Sequence, residues 1–244
     1  MADAGLTHAR PQNAVKLRAV LFDVDFTLCR PGPELSADRY ARIAARHGIV
    51  LDTTRYDAAR DAAVLNIRRH PELLHDDSIW HRFTEEIFTG MGGPEVIASE
   101  CATEIEEGWG ISENFELFED VMPVLEELRR AELRIGLVSN GIRDLTAFVA
   151  HHGLDVDVIV DSRSHGRVKP HPTIFRAALA ALGVSPEDAV MVGDSLEEDV
   201  EGARALGMRA ILIDRVERHR DVDERLTDLY GLPAALGLAR TDGD

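Results

Sequence analysis

Asp23 and Asp25 stand one residue apart at the end of an apolar run, in the stretch AVLFDVDFTLCR at 19–30. Their charges repel, and a strand running out into a solvated turn accounts for them as well as a function does. Further along, small polar or acidic residues close other apolar runs: Ser139 and Asn140, Asp161, and Asp194. If those runs are parallel strands, their carboxyl ends converge on one edge. Acidic groups gathered there would raise one another's pKa unless positive charge sat among them. Mg2+, which accepts carboxylate oxygens and keeps several waters, suits such a place. Lys169, in GRVKPHPTIF just before a helical pattern, supplies a second positive charge.

The elements that would position these residues are legible as alternating patterns. LRAVLFDVD at 17–25, LRIGLVSN at 133–140, VDVIVDS at 156–162, DAVMVGD at 188–194 and MRAILID at 208–214 each read as a strand buried on both faces. Between the last four lie the helical patterns IRDLTAFVAHHGL, HPTIFRAALAALGV and SLEEDVEGARALG, with Gly153, Gly183 and Gly207 at their stops. Strand and helix at this spacing imply right-handed crossovers and an open, doubly wound parallel sheet of the α/β class. Ligands of such sheets bind outside the carboxyl ends of the strands.

One segment breaks the alternation. Residues 31–112 hold no convincing strand but offer helical stretches near 35–47, 53–69, 77–90 and 94–108, punctuated by HP, GMGGP and GWG. This is expected to be a separate helical unit inserted after the first strand, leaving 14–30 and 113–244 as the core.

Taken in order, DVDFTL, LVSNG, VKPHPTIF and VGDSLEEDVEGA resemble the four motifs of the haloacid dehalogenase-like (HAD) hydrolase superfamily, over residues 19 to about 214. The resemblance implies a Rossmann-like HAD core with an inserted α-helical cap, and a phosphatase as the activity. By it, Asp23 is the nucleophile that forms an aspartyl-phosphate, and Asp25 is the general acid and base. Side chains at i and i+2 of an extended chain share a face, so both can be aimed into one site. Ser139, Asn140, Lys169 and Thr27 would bind the phosphoryl group, with Ser139 and Lys169 also catalytic. Mg2+ would be held by Asp23, Asp194 and the backbone carbonyl of Asp25, with Asp199 acting from behind the ligands on a metal water or on Lys169.

The long gap between the first two motifs identifies the insertion as the family's helical C1 cap. Such a cap excludes water and bulky substrates, so the expected partner is a small phosphorylated metabolite. Many relatives carry glycine where this chain has Phe26. That ring either walls the pocket or plugs the space under the cap. Arg30, or one of Arg68 and Arg69 in the cap, is a candidate substrate contact, against the simpler reading of solvated arginines. Asp161 reads as a helix cap, His171 as a helix-start residue, and Trp80 and Trp109 as packing residues in the cap and at its hinge.

Composition bounds the rest. The 244 residues are 45% hydrophobic and 29% charged, as in ordinary globular proteins. A formal charge of -17 argues against nucleic acid and anionic membranes as partners. No apolar run approaches the length of a membrane span, and 1–12 reads as a frayed terminus with no signal peptide, so the expected location is cytoplasmic, as a monomer or homodimer. Cys29 and Cys101 offer no metal or disulfide spacing. A 2-haloacid dehalogenase shares the nucleophilic aspartate and is the rival enzyme, but Asp25 and the acidic pair Asp194 and Asp199 favour the phosphatase. A non-catalytic binding protein on the same scaffold would be expected to have lost one of these residues.

Overall fold

The computed structural model of the chain describes residues 17–67 and 69–238. The readings of 1–12 and of Arg68 fall outside those residues. In chain order the strands are β1 (Ala19–Phe22), β2 (Cys29–Pro31), β3 (Phe115–Leu117), β4 (Arg134–Ser139), β5 (Val158–Asp161), β6 (Ala189–Gly193), β7 (Arg209–Ile213) and β8 (Arg225–Leu226). Six of them form one sheet in the order β5, β4, β1, β6, β7, β8, and every neighbouring pair is parallel.

β1 lies inside this sheet and is apolar throughout because both of its faces are covered. Val20 and Phe22 point into a layer with Val124, Leu125 and Leu128 of α5 (Val121–Arg130) and with Leu145 and Phe148 of α6 (Leu145–His152). Ala19 and Leu21 point the other way, onto Ile174, Phe175 and Leu179 of α8 (Pro172–Leu182). This three-layer packing is the doubly wound arrangement. Gly153 and Gly183 close α6 and α8 with φ of 65° and 63°, in the left-handed region where a side chain is strained.

The strand at β5 departs from expectation. Its apolar run implies burial on both faces, yet all four of its residues are only half-buried. It is an edge strand, paired on one side with β4 alone, so its apolar run covers one flank of the sheet rather than sitting inside it. The two-residue β8 at the opposite edge carries too short a pattern to be read from sequence.

Between β2 and β3 the chain forms α1 (Ala37–Arg46), α2 (Tyr56–Asn66), α3 (Ser78–Gly90) and α4 (Ala98–Glu106). These helices bury their own apolar cluster, including Tyr40, Ile43, Ala63, Phe83, Ile87, Phe88, Cys101 and Ile105. β2 and β3 pair antiparallel, Cys29 with Leu117 and Pro31 with Phe115, so the helical unit leaves and rejoins the core through one short ribbon. Trp109 packs against both the cap cluster and the larger core cluster beside that ribbon. Arg30, in β2, pairs with exposed Glu116 across the ribbon at 3.4 Å.

Register decides where the polar ends emerge. Phe22 lies level with Leu137 of β4 and Val192 of β6. Asp23 therefore leaves β1 at the height where β4 is about to end in Ser139 and β6 is about to end before Asp194. No helix among the described residues is long and apolar enough to cross a membrane.

Candidate active site

Asp23 keeps the strand going for one more step, its N–H donating to the Val192 carbonyl at 2.9 Å. The chain then reverses, with the N–H groups of Leu28 and Cys29 donating to the Val24 carbonyl at 2.9 and 3.1 Å. Phe26 makes this turn at φ 62°, a conformation that costs a non-glycine residue about 1–2 kcal/mol. Glycine would make the same turn without that strain. The ring is 44% exposed, so the buried plug considered for Phe26 is not what it forms.

The turn brings Thr27 back under the strand end, fully buried, with its hydroxyl donating to Asp23 Oδ2 at 3.2 Å. Its side chain thereby holds the aspartate. Lys169 Nζ donates to Asp23 Oδ1 at 2.5 Å and to Asp199 Oδ1 at 2.7 Å, with Lys169 and Asp199 each 1% exposed.

Asn140 fixes the loop that delivers this lysine. Its Oδ1 accepts from the Lys169 N–H at 2.7 Å, and its Nδ2 donates to the Lys169 carbonyl at 3.1 Å and to Glu198 Oε2 at 2.7 Å. The amide thus holds the Lys169 backbone on both its N–H and its carbonyl. Ser139 Oγ accepts from the Gly141 N–H at 3.0 Å at the open end of β4.

On the other side, β6 ends at Gly193, where a Cβ would lie 2.2 Å from Asp199 Oδ2. Only glycine allows that approach. The next turn is a π-helix at Leu196–Glu201, capped by the Ser195 hydroxyl accepting from the Glu198 N–H at 3.1 Å. Its wider turn carries Asp199 back to the strand end, where Oδ2 accepts from the Ser195 N–H at 3.0 Å; such turns recur at functional sites.

Asp23, Asp194 and Asp199 each present an oxygen atom, all within 4.8 Å of one another. Burial raises the pKa of Asp23 to about 7; Lys169 pulls it down, while Asp199 and Asp25 push it up. Asp194 is driven well above the carboxylate range by burial and then by the charges of Asp23 and Asp199. Burial also raises Asp199 against the pull of Lys169. Burial works against the charge on Lys169, but Asp199 and Asp23 outweigh it and the ammonium is held. One buried lysine among three carboxylates leaves negative charge over, and an all-oxygen donor set of this kind fits a hard divalent cation.

Two features of the site have only faint sequence signals. Arg143, 3% exposed at its side chain, ion-pairs with Asp25. It stands at the start of α6, where the helix dipole disfavours a cation, and that misplacement is the only signal. Glu198 receives Arg69 of the cap, whose Nε donates to Oε1 at 2.8 Å. Arg69 is thus a cap-to-core contact, and its charge is answered by Glu198. Nearby, the cap loop meets the segment before Lys169: the Val168 N–H donates to the Leu73 carbonyl at 2.9 Å, and the His75 N–H to the Gly166 carbonyl at 3.2 Å. Asp161 accepts from the Ser164 N–H at 2.8 Å and caps the short α7 (Ser162–His165). His171 Nδ1 accepts from the Thr173 N–H at 3.3 Å at the start of α8.

A family model described as haloacid dehalogenase-like hydrolase matches residues 17–207. Phosphoserine phosphatase of Thermus thermophilus is 41% identical over 113 residues, which are 44% of this chain and 44% of that protein. Glyceraldehyde 3-phosphate phosphatase of Methanopyrus kandleri is 30% identical over 223 residues, covering 87% of this chain and 90% of that one. Against the first of these, the chain spans less than half of the relative's length. Among solved structures, a HAD phosphatase from Thermococcus onnurineus aligns with 92% of this chain and 100% of its own, at 30% identity and a TM-score of 0.63. Solved 2-haloacid dehalogenases share the fold as well.

Proposed function

The chain belongs to the haloacid dehalogenase-like hydrolases, and from that premise we propose that it is a Mg2+-dependent phosphatase of a small phosphomonoester. The observation that carries this reading is the setting of Asp23, whose carboxylate lies between the Lys169 ammonium and the acidic pair Asp194 and Asp199. A nucleophile there must be ionised, yet burial outweighs the pull of Lys169 and raises its pKa to about 7. Positive charge on both sides is what would release it.

Asp23 attacks phosphorus and forms the aspartyl-phosphate while the ester oxygen leaves. Asp25 gives that oxygen its proton as the P–O bond breaks, then removes a proton from the water that hydrolyses the acyl phosphate. Lys169 neutralises charge on Asp23 and on the transferring group, and Ser139 bonds a phosphoryl oxygen. Thr27 keeps Asp23 in its rotamer, and Asn140 keeps Lys169 in reach. Asp23, Asp194 and the Asp25 carbonyl would hold Mg2+, which supplies charge stabilisation for the phosphoryl oxygens. Asp199, already bonded to Lys169 and to the Ser195 N–H, acts from behind these groups.

A small ester is favoured because the cap loop meets the core on both sides of the lysine loop, through Leu73 with Val168 and Arg69 with Glu198. The phosphoserine and glyceraldehyde 3-phosphate phosphatases above support the same class, a phosphorylated metabolite of a few carbons.

Phosphate release from an aryl phosphate, by wild type and Asp23→Asn with Mg2+ and with chelator, tests the reading. Release by wild type with Mg2+ alone is expected. Release by Asp23→Asn at the wild-type rate would overturn the nucleophile. Halide release from a 2-haloacid, with no phosphate release from any ester, would replace the phosphatase by a dehalogenase.

A further inference from the structure

Arg143 takes no part in the chemistry above, yet its side chain is more deeply buried than that of its partner Asp25, 3% against 27% exposed. A buried guanidinium persists only where it is paired and bonded. Here one terminal nitrogen donates to Asp25 Oδ1 and the other to Cys29 Sγ at 3.3 Å. Its carbon lies 3.5 Å from the centre of the Phe115 ring in β3 and 5.1 Å from that of Phe148 in α6. The loop bearing Arg143 is pinned as well, since the Asp144 side chain accepts from the N–H groups of Thr146 and Ala147 at 2.8 and 3.1 Å. Apart from Asp25, the groups that set the guanidinium's plane and position, Cys29, Phe115 and Phe148, do not react.

The consequence falls on the free oxygen of Asp25. A Cβ placed on Gly141 would lie 3.1 Å from Asp25 Oδ2 and 3.3 Å from Ser139 Oγ. With glycine there, Oδ2 faces directly onto the turn that carries Ser139. Burial pushes the Cys29 thiol up to about 12, so it stays neutral and does not compete with Asp25 for the arginine's charge.

We propose that Arg143 is a positioning residue for proton transfer: by gripping Oδ1 it aims Oδ2 of Asp25 at the leaving oxygen and the hydrolytic water beside Ser139. The assignment rests on Asp25 being the acid and base. Loss of the grip lets the carboxylate rotate, which slows turnover and leaves phosphate binding intact. Alkyl esters, whose leaving group needs the proton, suffer more than aryl esters, whose leaving group does not.

Steady-state kinetics of wild type, Arg143→Met, Arg143→Lys and Asp25→Asn, on an aryl phosphate and on glycerol phosphate, test this. The expected result for Arg143→Met is a KM within about twofold and a kcat at least about tenfold lower. Its loss should be greater on the alkyl ester, with partial recovery in Arg143→Lys. Equal losses on both esters, or a raised KM at unchanged kcat, would overturn the positioning role. Should Arg143→Met fail to melt cooperatively, Arg143→Lys and Phe115→Leu carry the same two-ester comparison, and an unchanged aryl-to-alkyl ratio in both overturns the proposal. Asp25→Asn separates the two claims: if it keeps wild-type activity the acid–base reading itself fails, and if it is inactive while Arg143→Met is unaffected only the positioning role fails.

Discussion

The sheet edge and the cap both gather ion pairs, and they use them to opposite effect. At the edge, Lys169 and Asp199 face each other with 1% of either side chain exposed. In the cap, Arg42 and Glu34 are paired with 52% and 58% exposed, and Arg60 and Asp57 with 34% and 81%. The chemical groups are the same; the solvent around them is not. Water screens the cap pairs to almost nothing. Its removal at the edge turns each charge into a constraint on its neighbours, which is why the large carboxylate shifts fall on Asp23, Asp194 and Asp199. Stability in the cap comes from Phe83, Ile87, Phe88 and their neighbours, whereas the edge accepts electrostatic cost in exchange for reactivity.

The contrast is broken most severely by Lys169→Met. Asp23 and Asp199 are then left buried without their cation, a loss expected to cost about 3–5 kcal/mol and to lower kcat by roughly a thousandfold or more. Chemical denaturation and steady-state kinetics read the two effects separately, and a variant of wild-type stability would show that the lysine contributes no net pairing.

Smaller, and dependent on pH, is the response to Mg2+. Asp23 rises in the folded chain from 3.8 to about 7. The folded state therefore holds a proton the unfolded chain releases, and that contribution is complete below about pH 4 and lost as pH rises through 7. A divalent cation competes with the same proton. Saturating Mg2+ is expected to raise Tm by roughly 5 °C at pH 8 and scarcely at all at pH 5. A shift independent of pH would place the ion elsewhere.

Arg69→Ala cuts a half-buried contact from the cap to Glu198. A fall in kcat/KM of about fivefold is expected, equivalent to ~1 kcal/mol, with little change in Tm because the cap cluster is untouched. Smallest of all is Arg60→Ala, for which no measurable change in melting or kinetics is expected. A clear loss there would mean that the cap pairs are not simply solvated.

How much of this was legible follows the same division. Uninterrupted apolar runs gave away β1, β4, β6 and β7, because strands covered on both faces have no polar side to disguise them. β5 was legible as a strand but not as an edge, since exposure depends on which neighbour is missing. Helices of the cap were visible from their periodicity and their stops. Thr27 and Asn140 were legible as residues of the site, but their hydrogen bonds within the protein were not: a turn folds one beneath Asp23, and the lysine loop presents its backbone to the other. Arg143 and Glu198 escaped notice because their partners lie 118 and 129 residues away in sequence for the pairs with Asp25 and Arg69.

By itself the sequence determined the residue types at the strand ends and their order along the chain, because local propensity and hydrophobic period act over a few residues. Tertiary structure alone decided which of those ends meet. Register between β1, β4 and β6 brings Asp23 to within one residue of the level of Ser139 and Asp194, and a π-turn returns Asp199 to Lys169. Desolvation then makes their charges interact strongly, an effect that exists only once the chain has excluded water from all of them together.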